Sequence, residues 1–221
     1  MADQRAKLTW TEDQIPVSER FDDPYYSLQN GLEETRHVFL AGNDLPARFA
    51  PGFRIAELGF GTGLNMLTVW SEWEKSGQTM PLTFTSFEAF PMAVDDMSRA
   101  LAAFPEVAPW SERFLAKWRG GRCDLGTLHL EVIEGDARQT LPAWTEEADA
   151  WFLDGFSPAK NPELWGADLM QHVADHTANG GTAATYTAAG FVRRGLEEAG
   201  FTVTRTPGYG RKRHMTRAIR E

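Results

Sequence analysis

The pattern of apolar and polar positions becomes regular from Phe53 onward. Short apolar runs there alternate with segments whose apolar residues recur every three or four positions, the spacings of strands and helices. The runs read as strands are RIAEL, LTFTSFE, LHLEVIEGD, AWFLDGF and GTAATYT. The segments read as helices are LNMLTVWSEWEK, AVDDMSRALAAF and AGFVRRGLEEAGF. This alternation predicts an α/β fold with a mainly parallel, doubly wound sheet.

The two ends of the chain differ from this rhythm. Residues 1–50 are predicted to form an N-terminal β appendage packed on the core, and residues 51–221 the main domain. Within the appendage, RHVFLA and LPARF are predicted as two short strands around a turn at residues 42–44. The final twenty residues predict two strands joined by a glycine-containing loop, antiparallel because no helix separates them.

Composition places the chain among ordinary globular proteins, with 42% hydrophobic and 24% charged residues. No apolar run approaches the ~20 residues of a membrane-spanning helix, and the first ten residues lack the apolar core of a signal peptide. The single cysteine, Cys123, excludes an intrachain disulfide and a zinc cluster built on cysteines, and it is read as an inert thiol. His172 and His176 lack a third ligand nearby. We therefore expect a cytoplasmic protein without metal or membrane contacts.

The formal net charge of −9 argues against a nucleic-acid partner, because phosphate binding relies on Lys and Arg. The charge is unevenly distributed, however. Residues 205–221 hold six basic side chains and one acidic one. Such a segment can present a local anion-binding face on an acidic protein; taken alone, the basic run favours a solvated strand and loop.

The strongest local motif is ELGFGTGLN, residues 57–65, which follows a predicted strand and precedes a predicted helix. Glu88 and Asp136 close the next two strands, where carboxylates can accept hydrogen bonds from ribose hydroxyls and from an adenine amine. Acidic groups would repel a phosphate, so a nucleoside without phosphates, such as S-adenosylmethionine, fits better than a dinucleotide. The alternatives are a glycine turn that serves packing, a solvated Glu88 and a turn-forming Asp136.

Four strings point to one known family: NGLEETRHVFLAGN, ELGFGTGLN, WFLDGFSPAKNPELW and AGFVRRGLEEAGF with GYGRKRHM. From about Tyr25 to Met215 the chain resembles the methyltransferase domains of the tRNA 5-methylaminomethyl-2-thiouridine biosynthesis family. The resemblance implies a Rossmann-like class I methyltransferase fold, S-adenosyl-L-methionine as cofactor, and the anticodon stem-loop of tRNA as partner. The implied reaction N-methylates the 5-aminomethyl group of the wobble (2-thio)uridine, giving 5-methylaminomethyl.

Many members of that family continue into a flavin-dependent oxidase domain, whereas this sequence stops soon after GRKRHM. We therefore expect a methyltransferase without the oxidase activity, and a separate flavin oxidase as a partner. Whether the chain is free-standing or part of a bifunctional enzyme stays open at this point.

The resemblance assigns Asp154 as the catalytic acid, and we expect it to orient the amine first and to act as a base second. The predicted cofactor residues are Glu57, Gly59, Phe60, Gly61, Gly63, Asn65, Glu88, Asp136 and Ala137. The predicted substrate residues are Phe156, Lys160, Tyr186, Arg211, Lys212 and Arg213. Ordinary roles compete with these, namely an Asx turn for Asp154, core packing for the aromatic residues and solvation for the basic run.

Three other functions stay open. A nicotinamide-dependent reductase would explain the glycine loop, although the spacing is not the usual one. An RNA-binding module without catalysis would explain the basic end but not the acids around the loop. A methyltransferase that acts on a small-molecule or protein amine would keep the chemistry and change the acceptor.

Overall fold

The fold is built on eleven strands and seven α-helices within residues 4–27 and 29–221, the part of the chain that the computed structural model describes. The strands are β1 (Leu8–Trp10), β2 (Pro16–Ser18), β3 (Asp23–Pro24), β4 (Arg54–Leu58), β5 (Leu82–Glu88), β6 (Arg122–Asp124), β7 (Leu128–Glu134), β8 (Ala148–Leu153), β9 (Thr177–Thr185), β10 (Phe201–Pro207) and β11 (His214–Arg220). The α-helices are α1 (Gly31–Thr35), α2 (Leu64–Lys75), α3 (Val94–Leu101), α4 (Ala108–Lys117), α5 (Ala137–Thr140), α6 (Ala167–Asp175) and α7 (Gly190–Glu198).

Eight strands form one sheet in the order β10-β11-β9-β8-β4-β5-β7-β6. The five central strands, β9, β8, β4, β5 and β7, run parallel, and β6, β10 and β11 are added antiparallel. The chain moves outward from β4 to β7 and then returns to the other side of β4 to form β8. Ligands of open α/β sheets bind beyond the carboxyl ends of the strands at such a reversal.

Successive residues of the central strands pack on opposite faces of the sheet. Ile55 and Phe152 belong to the cluster beneath α2, α3 and α4, while Ala56 and Trp151 belong to the cluster beneath α6 and α7. Both faces are therefore covered, which explains why these strands are apolar almost throughout. The five strands, the three helices and the antiparallel C-terminal pair predicted from the sequence are confirmed.

The prediction of two strands in RHVFLA and LPARF is wrong. Helix α1 is followed without a break by a π-helical turn, Arg36–Leu40, and a 3-10 turn, Ala41–Asn43. Asn30 caps the start by accepting a hydrogen bond from the backbone N–H of Glu33 at 3.1 Å. Val38, Phe39 and Leu40 are buried in succession around this helical segment, a pattern that lacks the three-to-four spacing of a one-sided helix and resembles a buried strand.

A small antiparallel N-terminal sheet does exist, but it lies earlier, in the order β1-β2-β3. The backbone N–H of Ala6 donates to the carbonyl of Pro91 at 3.1 Å, and Asp23 accepts from the backbone N–H of Ser157 at 2.8 Å. These bonds tie the sheet to the loops that follow β5 and β8. Leu32 and Phe49 pack in the same apolar cluster as Ile55. The division of the chain at residue 50 stays a prediction.

Candidate functional site

The loop between β4 and α2 forms the floor of a large cavity. Gly59 has φ +88°, and a Cβ there would lie 3.2 Å from the backbone oxygen of Asp154. Gly61 has φ +53°, and a Cβ there would approach the ring of Tyr25 to 3.1 Å. Both positions combine left-handed backbone with close neighbours, so a side chain would be strained at each. Gly63 caps the start of α2.

Glu88 stands at the end of β5 and holds this loop. Its Oε2 accepts a hydrogen bond from the backbone N–H of Gly61 at 2.9 Å, and its Oε1 accepts one from Phe90 at 2.8 Å. Burial raises the pKa of Glu88, and the backbone hydrogen bonds oppose that rise. Glu88 also lines the cavity, so its carboxylate faces the ligand space as well as the loop. Glu88 can therefore accept from ribose hydroxyls while it holds the glycine loop.

Asp136 begins helix α5 and has a local role of its own. Its Oδ1 accepts from the backbone N–H of Arg138 at 2.9 Å, and its Oδ2 lies 2.6 Å from the guanidinium of the same residue. The hydrogen bond from the Arg138 side chain lowers the pKa of Asp136. Asp136 and the buried Ala137 both line the cavity. The turn-forming role and a cofactor role are thus compatible in one residue.

Glu57 and Asn65 sit beneath the loop in one hydrogen-bond network. The Glu57 carboxylate is buried and accepts from Asn65 Nδ2 at 2.9 Å and from Ser86 Oγ at 2.7 Å. Burial raises the pKa of Glu57 well above its usual value. Asn65 lines the cavity, whereas Glu57 lies behind it. Glu57 therefore supports the loop from below and is not positioned to contact a ligand directly.

Asp154 directly follows β8 and lines the same cavity. Its Oδ2 accepts from Asn65 Nδ2 at 2.8 Å, and its Oδ1 accepts from the backbone N–H of Gly155 at 2.8 Å. Burial raises the pKa of Asp154 to about 6, the nearby carboxylate of Glu34 adds to the rise, and Lys212 opposes it. The carboxylate is thus ionised at neutral pH and is a stronger base than an ordinary Asp.

Aromatic and basic side chains close the cavity on the opposite side. The ring of Phe156 stacks on Phe21 at a centroid distance of 4.7 Å and meets Tyr25 edge-on at 5.0 Å. Lys160 pairs with Asp22 at 3.1 Å and with Asp23 at 3.7 Å. The N-terminal sheet therefore covers the loop after β8 through these contacts.

The predicted basic run divides into two kinds of residue. Lys212 lines the cavity and pairs with Glu34 at 2.7 Å, and its ammonium lies 3.9 Å from the ring centroid of Tyr186, while 41% of its side chain stays exposed. Arg211 is exposed at the cavity rim, and Arg213 is exposed outside it. Lys212 thus has a carboxylate partner, whereas both arginines are exposed and can meet a partner's phosphates.

The cavity has a volume of about 1510 Å³ and lies over the carboxyl ends of β4, β5, β7 and β8. It is roomy enough for a nucleoside and part of a second substrate. Phe60 also lines it, and on its other side packs against Phe114 and Trp118. The glycine cradle, the strand-end carboxylates and this volume fit S-adenosylmethionine.

Several cavity residues were missed from the sequence: Phe21, Asp23, Tyr25, Glu34 and Thr35. The sequence signal for Glu34 and Thr35 is the NGLEET string, which carries the family resemblance but does not by itself assign these residues to a site. Within residues 4–27 and 29–221, no cluster of three or more His, Cys, Asp or Glu side chains could hold a metal. In the same residues, no helix is long and apolar enough to cross a membrane.

Comparison with known proteins agrees with this geometry. Residues 105–221, more than half of the chain, match a family model described as S-adenosyl-L-methionine-dependent methyltransferase. Two Pseudomonas aeruginosa proteins, each named tRNA 5-methylaminomethyl-2-thiouridine biosynthesis bifunctional protein MnmC, are 47% identical over 96% of this chain. The match covers 34% of each of them, so the chain spans about a third of the length of these relatives. The resemblance inferred from the motifs is confirmed.

Solved structures agree as well. The crystal structure of MNMC2 from Aquifex aeolicus superimposes with a TM-score of 0.75 at 27% identity, covering 96% of this chain and 70% of that one. Precorrin-6y C5,15-methyltransferase from Geobacter metallireducens shares the fold with a TM-score of 0.53 at 12% identity, covering 96% and 98% of the two chains. By its fold and its family match, the chain belongs to the S-adenosyl-L-methionine-dependent methyltransferases, with a Rossmann-like fold and S-adenosyl-L-methionine as cofactor.

Proposed function

We propose that this methyltransferase N-methylates the 5-aminomethyl group of the wobble (2-thio)uridine of tRNA, giving 5-methylaminomethyl. The observation that supports it most is the ionised Asp154 at the mouth of a cavity that also holds Glu34, an arrangement suited to a cationic amine. The 47% identity to proteins named for 5-methylaminomethyl-2-thiouridine biosynthesis supports the same acceptor. Action on tRNA would place the enzyme in the cytoplasm.

The chemistry requires an amine with a free lone pair. An alkylamine with a pKa near that of Lys, about 10.4, is protonated at neutral pH and cannot attack. S-adenosylmethionine, when bound, supplies an electrophilic methyl group on a sulfonium. The carboxylate of Asp154 is proposed to accept an N–H hydrogen bond from the amine, orient its lone pair and take up its proton. Positioning of two reactants can lower the activation free energy by roughly 7–11 kcal/mol.

The proposed cofactor residues are those named from the sequence around the glycine loop, with two adjustments. Glu88 and Asp136 keep direct roles, toward the ribose and the adenine. Glu57 acts through the loop that it supports, and Asn65 acts by fixing Asp154.

On the tRNA side, Phe156 and Tyr186 border the space for the target base, and Lys160 holds the loop that includes Phe156. Arg211 and Arg213 are proposed to hold phosphates of the anticodon stem-loop. A flavin oxidase that prepares the amine stays a prediction.

The experiment that tests the function is methyl transfer from labelled S-adenosylmethionine to purified tRNAs that carry 5-aminomethyl or unmodified wobble uridine. Nucleoside analysis should find 5-methylaminomethyluridine, or its 2-thio form, in the first tRNA and no label in the second. Label on another nucleoside would overturn the assignment of the acceptor. Methyl transfer to small-molecule or protein amines, without transfer to tRNA, would favour the alternative that the enzyme methylates such amines.

A further inference from the structure

The side chain of Lys212 occupies a defined place in the cavity. Its Nζ lies 2.7 Å from Glu34 Oε1 and 3.9 Å from the centroid of the Tyr186 ring. Glu34 is only 8% exposed, so its charge is largely removed from water. A carboxylate and an aromatic face together are the groups that proteins use to bind alkylammonium ions. The place that Lys212 fills is thus built for an ammonium group.

This place lies beside the proposed catalytic carboxylate. The hydroxyl of Tyr186 donates to the backbone oxygen of Gly155 at 2.7 Å, one residue after Asp154. Thr35, the neighbour of Glu34 in the chain, donates to Asn65 Oδ1 at 2.7 Å, and Asn65 donates to Asp154 at 2.8 Å. An ammonium group on Glu34 is therefore next to the site of methyl transfer.

We propose that Glu34 and the Tyr186 ring form a binding site for a primary alkylammonium group, filled by Lys212 in the chain alone. In the complex it is filled by the protonated aminomethyl group of the substrate, before that group passes its proton to Asp154 and is methylated. The identity of that second occupant rests on the proposed function. The site itself does not, because Lys212 already shows its chemistry. Glu34 and Tyr186 thereby become specificity-determining residues for a cationic substituent.

The exchange of occupants follows from charge and from position in the fold. A second cation at the same ring face would be repelled by the Lys212 ammonium, so the two cannot share the place. Lys212 belongs to the loop between β10 and β11, with exposed Arg211 and Arg213 on either side. When that loop meets RNA, a phosphate offers Lys212 a new partner and Glu34 is released for the substrate.

The site can be tested without RNA. Lys212→Ala removes the occupant, and ethylammonium chloride should then raise the melting temperature saturably, by about 3 °C at ten times its dissociation constant. Ethanol and sodium chloride at equal concentration should not. The double variant Glu34→Gln/Lys212→Ala should lose the response. Lys75→Ala is the matched control, because Lys75 forms an ion pair of the same 2.7 Å length with Glu72 on the surface. Lys212→Ser replaces Lys212→Ala if the latter does not fold.

The occupant is tested with anticodon stem-loops that carry 5-aminomethyl- or the neutral 5-hydroxymethyluridine, bound to protein loaded with S-adenosylhomocysteine. The preference for the amine is the ratio of the dissociation constants of the hydroxymethyl and aminomethyl stem-loops. Glu34→Gln should reduce this ratio about tenfold, and the control variant Glu72→Gln should leave it unchanged. Lys212→Ala should increase that preference.

Absence of a saturable ethylammonium response in Lys212→Ala overturns the site. If Lys212→Ala responds to ethylammonium but Glu34→Gln loses affinity equally for both stem-loops, the aminomethyl group is not the occupant of the site. The two proposals can fail separately. If Lys212→Ala binds ethylammonium but the wild-type protein does not methylate the modified tRNA, the alkylammonium site is supported and the proposed tRNA function is rejected.

Discussion

The Nδ2 atom of Asn65 lies 2.8 Å from Oδ2 of Asp154 and 2.9 Å from Oε1 of Glu57, so a single amide joins the carboxyl ends of β8 and β4. The hydroxyl of Thr35 donates to Oδ1 of Asn65 at 2.7 Å. All polar atoms of the amide have partners, which fixes its rotamer. Asn65 is therefore a positioning residue for Asp154, and its donor favours the ionised carboxylate.

Asn65→Asp is expected to move the acid limb of the pH profile of kcat/KM upward by about one unit. The substitution keeps the size of the side chain, removes the donor to Asp154 and adds a like charge, so Asp154 holds its proton to higher pH. The measurement is the initial rate of methyl transfer between pH 5 and 8. Ser76→Asp is the control, because it adds the same charge at the far end of α2, away from Asp154. An acid limb that stays near pH 6 in Asn65→Asp would contradict the role of this amide.

Asp154→Ala is expected to lose most methyl transfer, and its stability should respond to pH in a specific direction. The pKa of Asp154 is raised from 3.8 to about 6 in the folded protein, so the folded state binds more protons than the unfolded state between these values. The contribution of Asp154 to stability therefore falls as the pH rises through this window. The melting temperatures of wild type and Asp154→Ala are measured at pH 4 and at pH 7.5. Between pH 4 and pH 7.5, the melting temperature of wild type should fall relative to that of the variant.

Near-normal turnover in Asp154→Ala would remove this carboxylate from the mechanism. A difference in melting temperature that is the same at both pH values would show instead that Asp154 titrates at its ordinary pKa.

The strands and the glycine loop could be predicted because their signals are local. The run before Asp154 is apolar at every position that the sheet covers, and the strand that ends at Glu88 is bounded equally clearly. Since parallel strands share one carboxyl edge, the residues after β4, β5, β7 and β8 had to lie near one another. The location of the cavity could therefore be predicted from the sequence.

The opposite wall of the cavity could not be predicted, because its contacts join distant parts of the chain. Glu34 and Lys212 are 178 residues apart, and nothing in the basic run indicates that Lys212 pairs with Glu34. The stacking of Phe21 on Phe156 likewise joins two residues that are far apart in the chain. The helical segment after Asn30 was missed because its buried residues follow tertiary packing and not a regular period.

Glu88→Ala is expected to weaken binding of S-adenosylhomocysteine about 10- to 100-fold, because it removes the proposed ribose acceptor and the partner of the Gly61 N–H. Isothermal calorimetry measures the change. Asp136→Asn is the companion variant, since asparagine caps a helix as well as aspartate does. Its melting temperature should stay near that of wild type while cofactor affinity falls. Wild-type affinity in Glu88→Ala would rule out the ribose contact.

The double variant Arg211→Ala/Arg213→Ala is expected to weaken tRNA binding and to leave cofactor affinity unchanged. Both side chains are exposed on the loop between β10 and β11, and the glycine loop and its acids belong to other strand ends. Each phosphate contact contributes about 0.7 to 0.9 to the slope of log affinity against log salt, so losing two should flatten that slope by about 1.5. The measurement is equilibrium binding across a salt series.

Charge removal elsewhere gives the control for this loop. Arg119 and Arg122 lie in and beside β6, at the opposite edge of the eight-stranded sheet, and Arg119→Ala/Arg122→Ala removes the same charge. This control should keep the wild-type affinity and slope, because counterion release counts local phosphate contacts and not net charge. If both double variants weaken binding equally, the effect comes from the overall charge of the protein. If neither does, the phosphates are held by another face, and the basic loop serves only to deliver Lys212 to Glu34.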